Sequence, residues 1–227
     1  MYVLAIDTAL TACSVAVLNA RSDSIIAGDS LFMERGHAEA LVPMVEQVMR
    51  DAGLEFLELD RIAATVGPGS FTGLRVGLSA ARGFALSTRR PAVGVTTFAA
   101  LAAPFLAMND LHPVAVAIDA RHDHVFLQMF GAGGRTLIAP RVMSCKDAAR
   151  SVARGAVRLV GSGAALVAGV WPPGEETPLA VDVMAAPDVA WVARLAAVAD
   201  PAQAEPRPLY LRAPDAKPQD AARVARQ

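Results

Sequence analysis

The apolar positions of this chain follow two periods. Runs at residues 3–7, 13–18 and 24–33, the first two largely apolar, have the length of strands. From His37 to Ala52, by contrast, Leu41, Val45, Val48 and Met49 recur at helical spacing, and Gly53 supplies a stop. Pro43 lies inside that stretch and predicts a late start or a kink. A strand pattern at 62–66, a glycine-rich segment, a helix pattern at 73–88, a strand at 92–96 and an apolar helix from Thr97 to Met108 complete the first half.

The order then begins again. Residues 114–119 are an apolar run ending in Ile-Asp, as residues 3–7 are. Runs at 125–130 and 136–142 flank Gly133-Gly134, and a helix from Ser144 carries Asp147 in capping-box position. A strand at 157–160 then ends in Gly161-Ser162-Gly163, the counterpart of Gly67-Pro68-Gly69. A β-β-β-α-β order used twice predicts an α/β fold of actin-like type, with duplicated β-β-β-α-β-α lobes and a reduced second lobe. The expected division is a first lobe at 1–100, a second at 101–214 and a flexible tail at 215–227. Late in the second lobe, residues 188–199 read as a helix and 206–214 as extended chain.

Composition narrows the function. With 227 residues, 54% hydrophobic, a sizeable core is within reach. The net charge of −1 argues against a protein that grips nucleic acid unaided, because that binding draws on Lys and Arg at phosphates. Two cysteines, Cys13 and Cys145, make no disulfide framework and fit a reduced compartment. No basic leader precedes the first strand, and the helix from Thr97 is too short to span a bilayer and contains Pro104. A soluble cytoplasmic protein is expected.

Gly67-Pro68-Gly69-Ser70-Phe71-Thr72-Gly73-Leu74-Arg75-Val76-Gly77 is the richest segment. Its loop could bring backbone N–H groups to an anion at a helix start. It is not a P-loop, because no Lys-Ser or Lys-Thr follows, and Thr72 occupies the third glycine of a dinucleotide fingerprint. Serine is second rather than central in Gly69–Gly73, so it is no nucleophile elbow, and Ser70 or Thr72 reads as a helix N-cap. Gly73, Gly77, Ala81 and Ala85 share one helix face and invite a close backbone. That neighbour could be the chain's own sheet; with the alanine-rich surroundings, the stripe is expected to meet a partner, together with Leu41, Val45 and Val48 of the preceding helix.

Asp7 and Asp119 end the two first strands. They could position a metal–nucleotide complex or simply cap their turns. The residues that follow, Thr8-Ala9-Leu10 and Ala120-Arg121-His122, lack the glycines that actin-like ATPases place there, so side chains would crowd a phosphate. Asp7, Thr8 and Asp119 are therefore expected to mark a vestigial nucleotide site. The four histidines, His37, His112, His122 and His124, contain no i, i+4 pair, and no metal site is expected. Arg82, Arg89 and Arg90 read as a solvated helix end.

Taken together, the glycine segment, Leu4-Ala5-Ile6-Asp7-Thr8, His37 with Leu41-Val42-Pro43-Met44, Ile118-Asp119-Ala120-Arg121 and Pro208-Leu209-Tyr210-Leu211-Arg212 resemble the TsaB (YeaZ) family along nearly the whole chain. The resemblance implies an actin-like fold and a non-catalytic role in making threonylcarbamoyladenosine in tRNA. It implies pairing with the transferase TsaD, joined by the ATPase TsaE, and homodimers through first-lobe helices when alone. tRNA would be met only through the complex. No cofactor is expected in the isolated chain; ATP or ADP at the partner interface is left open. Against TsaD, Thr97 and Leu101 stand where a metal-binding histidine pair would be, so catalysis is assigned to the partner. The rival readings are an active actin-like ATPase or small-molecule kinase, and a disfavoured glycoprotease-like metallopeptidase.

Overall fold

β1 (Tyr2–Asp7) lies at the centre of a five-stranded sheet in the computed structural model of the chain, which describes residues 1–108 and 111–212. It pairs antiparallel with β2 (Ala12–Asn19), which pairs antiparallel with β3 (Ser24–Phe32). α1 (His37–Ala52) then leads to β4 (Arg61–Gly67), parallel to β1. α2 (Phe71–Thr88) leads to β5 (Ala92–Thr96), parallel to β4. Parallel neighbours need a crossover of this length, and a helix supplies it each time.

After α3 (Thr97–Leu106) the layout repeats. β6 (Val114–Asp119) is the second central strand, followed by β7 (His124–Phe130), β8 (Thr136–Ser144), α4 (Cys145–Val152), β9 (Arg158–Val160), α5 (Ala164–Ala168) and β10 (Ala180–Asp182). The strand orders are β3-β2-β1-β4-β5 and β8-β7-β6-β9-β10, so the two sheets share one topology. Pairing directions match as well. The duplicated actin-like lobes expected from the sequence are present, the second with shorter strands β9 and β10.

Central strands are buried on both faces, so alternate residues serve two cores. Leu4, Ile6 and Ile62 pack with α1 and α2. Val3, Ala5, Ala63 and Val93 pack on the other face with α6 (Val189–Val198). This corrects the expected boundary at 101–214. α6 belongs by contact to the first sheet, and the Arg61 guanidinium of β4 donates to the carbonyls of Ala196, Ala197 and Ala199 at the helix end. In the second lobe α4 and α5 cover one sheet face, and Phe98 and Leu101 of α3 cover the other.

α1 runs unbroken through Pro43, because Leu41, Met44 and Val45 are buried on its inner side, and Gly53 ends it at φ +64°. The tail expected at 215–227 lies outside the described residues, as does the end of the extended run at 206–214.

Candidate functional site

The loop after β4 and the turn after β1 are built for each other. A Cβ on Gly69 would collide with the Ala9 carbonyl, one on Gly73 with the Thr8 carbonyl, and one on Gly77 with the Thr8 hydroxyl. The Ser70 N–H donates to the Ala9 carbonyl at 2.7 Å, and the Thr8 hydroxyl donates to the Gly73 carbonyl at 2.7 Å. Ser70 caps α2, accepting from the Gly73 N–H at 3.3 Å. The close backbone approach that such a loop could offer a phosphate is taken up by Thr8 and Ala9. The second lobe repeats the device. Gly67 and Gly161 both adopt φ +106°, and a Cβ on Gly163 would lie 3.1 Å from the Asp119 nitrogen.

Asp7 is fully buried. Its Oδ1 accepts from the Thr65 hydroxyl at 2.5 Å and from the Ala9 N–H at 3.1 Å, while Oδ2 has no partner. Burial pushes the carboxyl from 3.8 up to about 6, against the opposing bonds from Thr65 and Ala9. Burial, then the charges of Asp7 and Asp29, push the Cys13 thiol up to about 11. Asp7 thus caps its turn from within the core, with Thr8 buried beside it. Asp119 is exposed instead, and its Oδ1 accepts from the Arg121 N–H at 2.7 Å. The trio expected to mark a vestigial nucleotide site therefore does not form one open site.

The chain itself makes contacts between the two lobes. Leu10, from the turn after β1, and Leu211 pack against the second-lobe cluster of Phe98, Leu101 and Ile118. The Thr11 hydroxyl donates to the Ala185 carbonyl at 3.0 Å. The Leu209 N–H donates to the Val66 carbonyl at 2.7 Å, and the Arg212 guanidinium donates to the Ala120 carbonyl at 3.3 Å. Residues 209–212 therefore strap one lobe to the other. The sequence marked this segment, but nothing in its pattern announced the bridge.

A raised carboxyl pKa sets a pH dependence. Asp7 binds its proton more tightly folded than unfolded, so its contribution is fully present below about 3.8 and is lost as pH rises through about 6. The shift corresponds to about 3 kcal/mol. Asp7→Asn keeps an Oδ1 acceptor and removes the charge. Melting curves from pH 4 to 8 should show the variant gaining on the parent between pH 4 and 6, then a constant difference. A difference that does not move across that window would exclude Asp7 as its source.

The seven residues expected at a partner interface are buried by the chain itself, although Leu41 reaches the floor of a groove on the outer side of α1 and α2. Leu41, Val45, Val48, Ala81 and Ala85 are buried in the first-lobe core, and Gly73 and Gly77 are buried under Thr8. The stripe is small so that α2 can meet the chain's own turn, which corrects the expected assignment. The outer side of the same helices carries a shallow groove of about 500 Å³, lined among others by Ala38 and Val42 of α1 and by Phe71, Arg75, Val76 and Ala80 of α2. The Arg75 guanidinium lies 3.8 Å above the Phe71 ring, and Tyr210 packs against Phe71 with the rings tilted by 39° and their centroids 5.3 Å apart.

Thr97 and Leu101 are fully buried in α3. His122 and His124 share a turn, where the His122 carbonyl lies 2.6 Å from His124 Nδ1. Among the described residues, no group of three His, Cys, Asp or Glu is placed to hold a metal, and no helix is long and apolar enough to cross a membrane.

The family model described as TsaD: tRNA N6-adenosine threonylcarbamoyltransferase matches residues 32–162, more than half of the chain. The tRNA threonylcarbamoyladenosine biosynthesis protein TsaB of Escherichia coli is 37% identical over 126 residues, 56% of this chain and 53% of the relative, so this match spans about half the length of that curated protein. An uncharacterized protein of Mycobacterium tuberculosis is 31% identical over 217 residues, covering 95% of this chain and 94% of the relative. YeaZ from Pseudomonas aeruginosa superimposes with a TM-score of 0.78 at 29% identity, over 92% of this chain and 99% of that one. With its duplicated lobes, its glycine-seated turns and these relatives, the chain belongs to the TsaB/YeaZ family.

Proposed function

We propose that the chain is a non-catalytic, cytoplasmic subunit of a tRNA threonylcarbamoyl-transfer system. It binds and supports a TsaD-type transferase, TsaE joins the pair, and tRNA is engaged through the complex. The observation that carries this reading is the packing of the turn after β1 and of Leu211. Where an actin-like enzyme needs room for a nucleotide, this chain places its own turn of Thr8, Ala9 and Leu10 and its own Leu211. Any ATP or ADP would then be held jointly with the partner. The docking surface is the outer face of α1 and α2, whose groove is mostly apolar. In the absence of the partner, the same face pairs two copies of the chain.

Reconstitution tests the reading. The chain alone, given tRNA and a threonylcarbamoyl-adenylate supply, should leave the tRNA unmodified and turn over no appreciable ATP. Added to TsaD and TsaE it should restore modification. Robust modification without TsaD, or sustained ATP turnover by the isolated chain, would make it an enzyme in its own right.

A further inference from the structure

The net charge of −1 conceals a segregation. Residues 120–158 contain seven Lys or Arg and two Asp, leaving the remainder of the chain with 14 Lys or Arg and 20 Asp or Glu. Five of these cations gather along one border of the second lobe, whereas Arg158 lies on β9 and pairs with Asp182. β8 is the edge strand of its sheet, and α4 packs over β7 and β8. Arg141 is on β8 and Arg135 just precedes it. Lys146 and Arg150 lie one turn apart on the same face of α4. Arg121 sits on the β6–β7 turn, which is held beside the start of α4 because the Cys145 N–H donates to the Asp123 carbonyl at 2.8 Å.

All five side chains are exposed. Among the described residues, Arg150 alone of the five has an acidic partner, Asp147 at 3.8 Å. That exposed pair is weak and leaves the cation available. The turn itself is unusual: Arg121, His122 and Asp123 are consecutive non-glycine residues at φ 64°, 53° and 57°. Left-handed backbone is costly for such residues, and here it holds Arg121 and His122 exposed beside α4.

We infer that this border of the second lobe, from Arg121 through Arg141 to Lys146 and Arg150, is a contact surface for the phosphate backbone of RNA. Cations on an edge strand also discourage strand-to-strand aggregation. That role accounts for Arg141 but not for cations on a turn and a helix. β8 alone is about 30 Å long, enough to follow several phosphates. The surface lies on the opposite lobe from the α1–α2 groove, so RNA and a protein partner would not compete for it. The choice of RNA over another polyanion rests on the proposed function.

The experiment uses the isolated full chain and unmodified tRNA, titrated from about 50 mM salt upward, where phosphate contacts are strongest. The parent should bind weakly, about micromolar, with a steep salt dependence. Combining Arg121→Gln, Lys146→Gln and Arg150→Gln should weaken binding at least about tenfold and lower the slope of log Kd against log salt by about 2. Combining Arg21→Gln, Arg35→Gln and Arg50→Gln removes the same charge from the first lobe and should change affinity less than about twofold. Equal losses in the two variants would reduce the effect to net charge and overturn the inference. An unaltered slope in the second-lobe variant would overturn it too. Because no partner is present, these outcomes do not depend on TsaD. A chain that binds tRNA along this border yet fails to support modification would sink the proposed function and leave the surface standing.

Discussion

Gly73→Ala should destabilise the protein by about 2–4 kcal/mol, although alanine is the better helix former. A Cβ at this position would meet the Thr8 carbonyl, which is backbone and cannot rotate away, and would also lie 3.4 Å from the Ser70 Cβ. Relief requires lifting α2 off the β1 turn. That would break the Thr8 hydroxyl bond to the Gly73 carbonyl and loosen the Ser70 bond to Ala9. In a domain of this size the melting temperature should fall by roughly 5–12 °C. Gly83 of the same helix provides the opposite case, because a Cβ there would meet nothing within 4 Å. Gly83→Ala should gain about 0.5–1 kcal/mol from reduced freedom of the unfolded chain. Thermal melts of both variants decide the matter. If Gly73→Ala is as stable as its parent, the glycine segment is not a seat for the turn.

Periodicity carried much of the fold. α1, β5 and β6 occupy the stretches that hydrophobic spacing marked, because their apolar positions are numerous and their ends carry Gly53, Thr96 and Asp119. β10 and α5, at three and five residues, are too short for a period to register. The sequence pattern marked α6 as a helix but not which sheet buries it, so the lobe boundary went astray. The same ambiguity governed Gly73, Gly77, Ala81 and Ala85. A small-residue face invites any close neighbour, and only the position of Thr8, more than 60 residues earlier in sequence, settles which. Asp7 posed the parallel problem. An aspartate ending a strand reads equally as cap or ligand, and the deciding group is Thr65, 58 residues away. The glycine-free turns after Asp7 and Asp119 were legible; the packing of the first of them against Gly69, Gly73 and Gly77 was not.

Val42→Glu should leave the fold intact and cost partner binding about 100-fold. Val42 is 46% exposed on α1, and Ala80 faces the same groove from α2, so a carboxylate here perturbs the outer surface and not the core. If a partner covers the groove, burying an added carboxylate among its apolar side chains opposes docking strongly, and about 2.8 kcal/mol is a hundredfold in affinity. An interface of ordinary size, about 800 Å² per partner, would bury the whole face. Self-association and TsaD binding should fall together, since the proposed docking face serves both. Leu166→Glu, at a residue 44% exposed on α5 of the second lobe, is the matched control and should affect neither. Sedimentation velocity reads self-association, a titration against TsaD reads the heterodimer, and a melt of the same sample reads folding. A Val42→Glu chain that melts normally, dimerises normally and binds TsaD with parental affinity would move the docking surface off the α1–α2 groove. The packing of Thr8, Ala9, Leu10 and Leu211 would be untouched by that result, but the partner would have to be sought on another face.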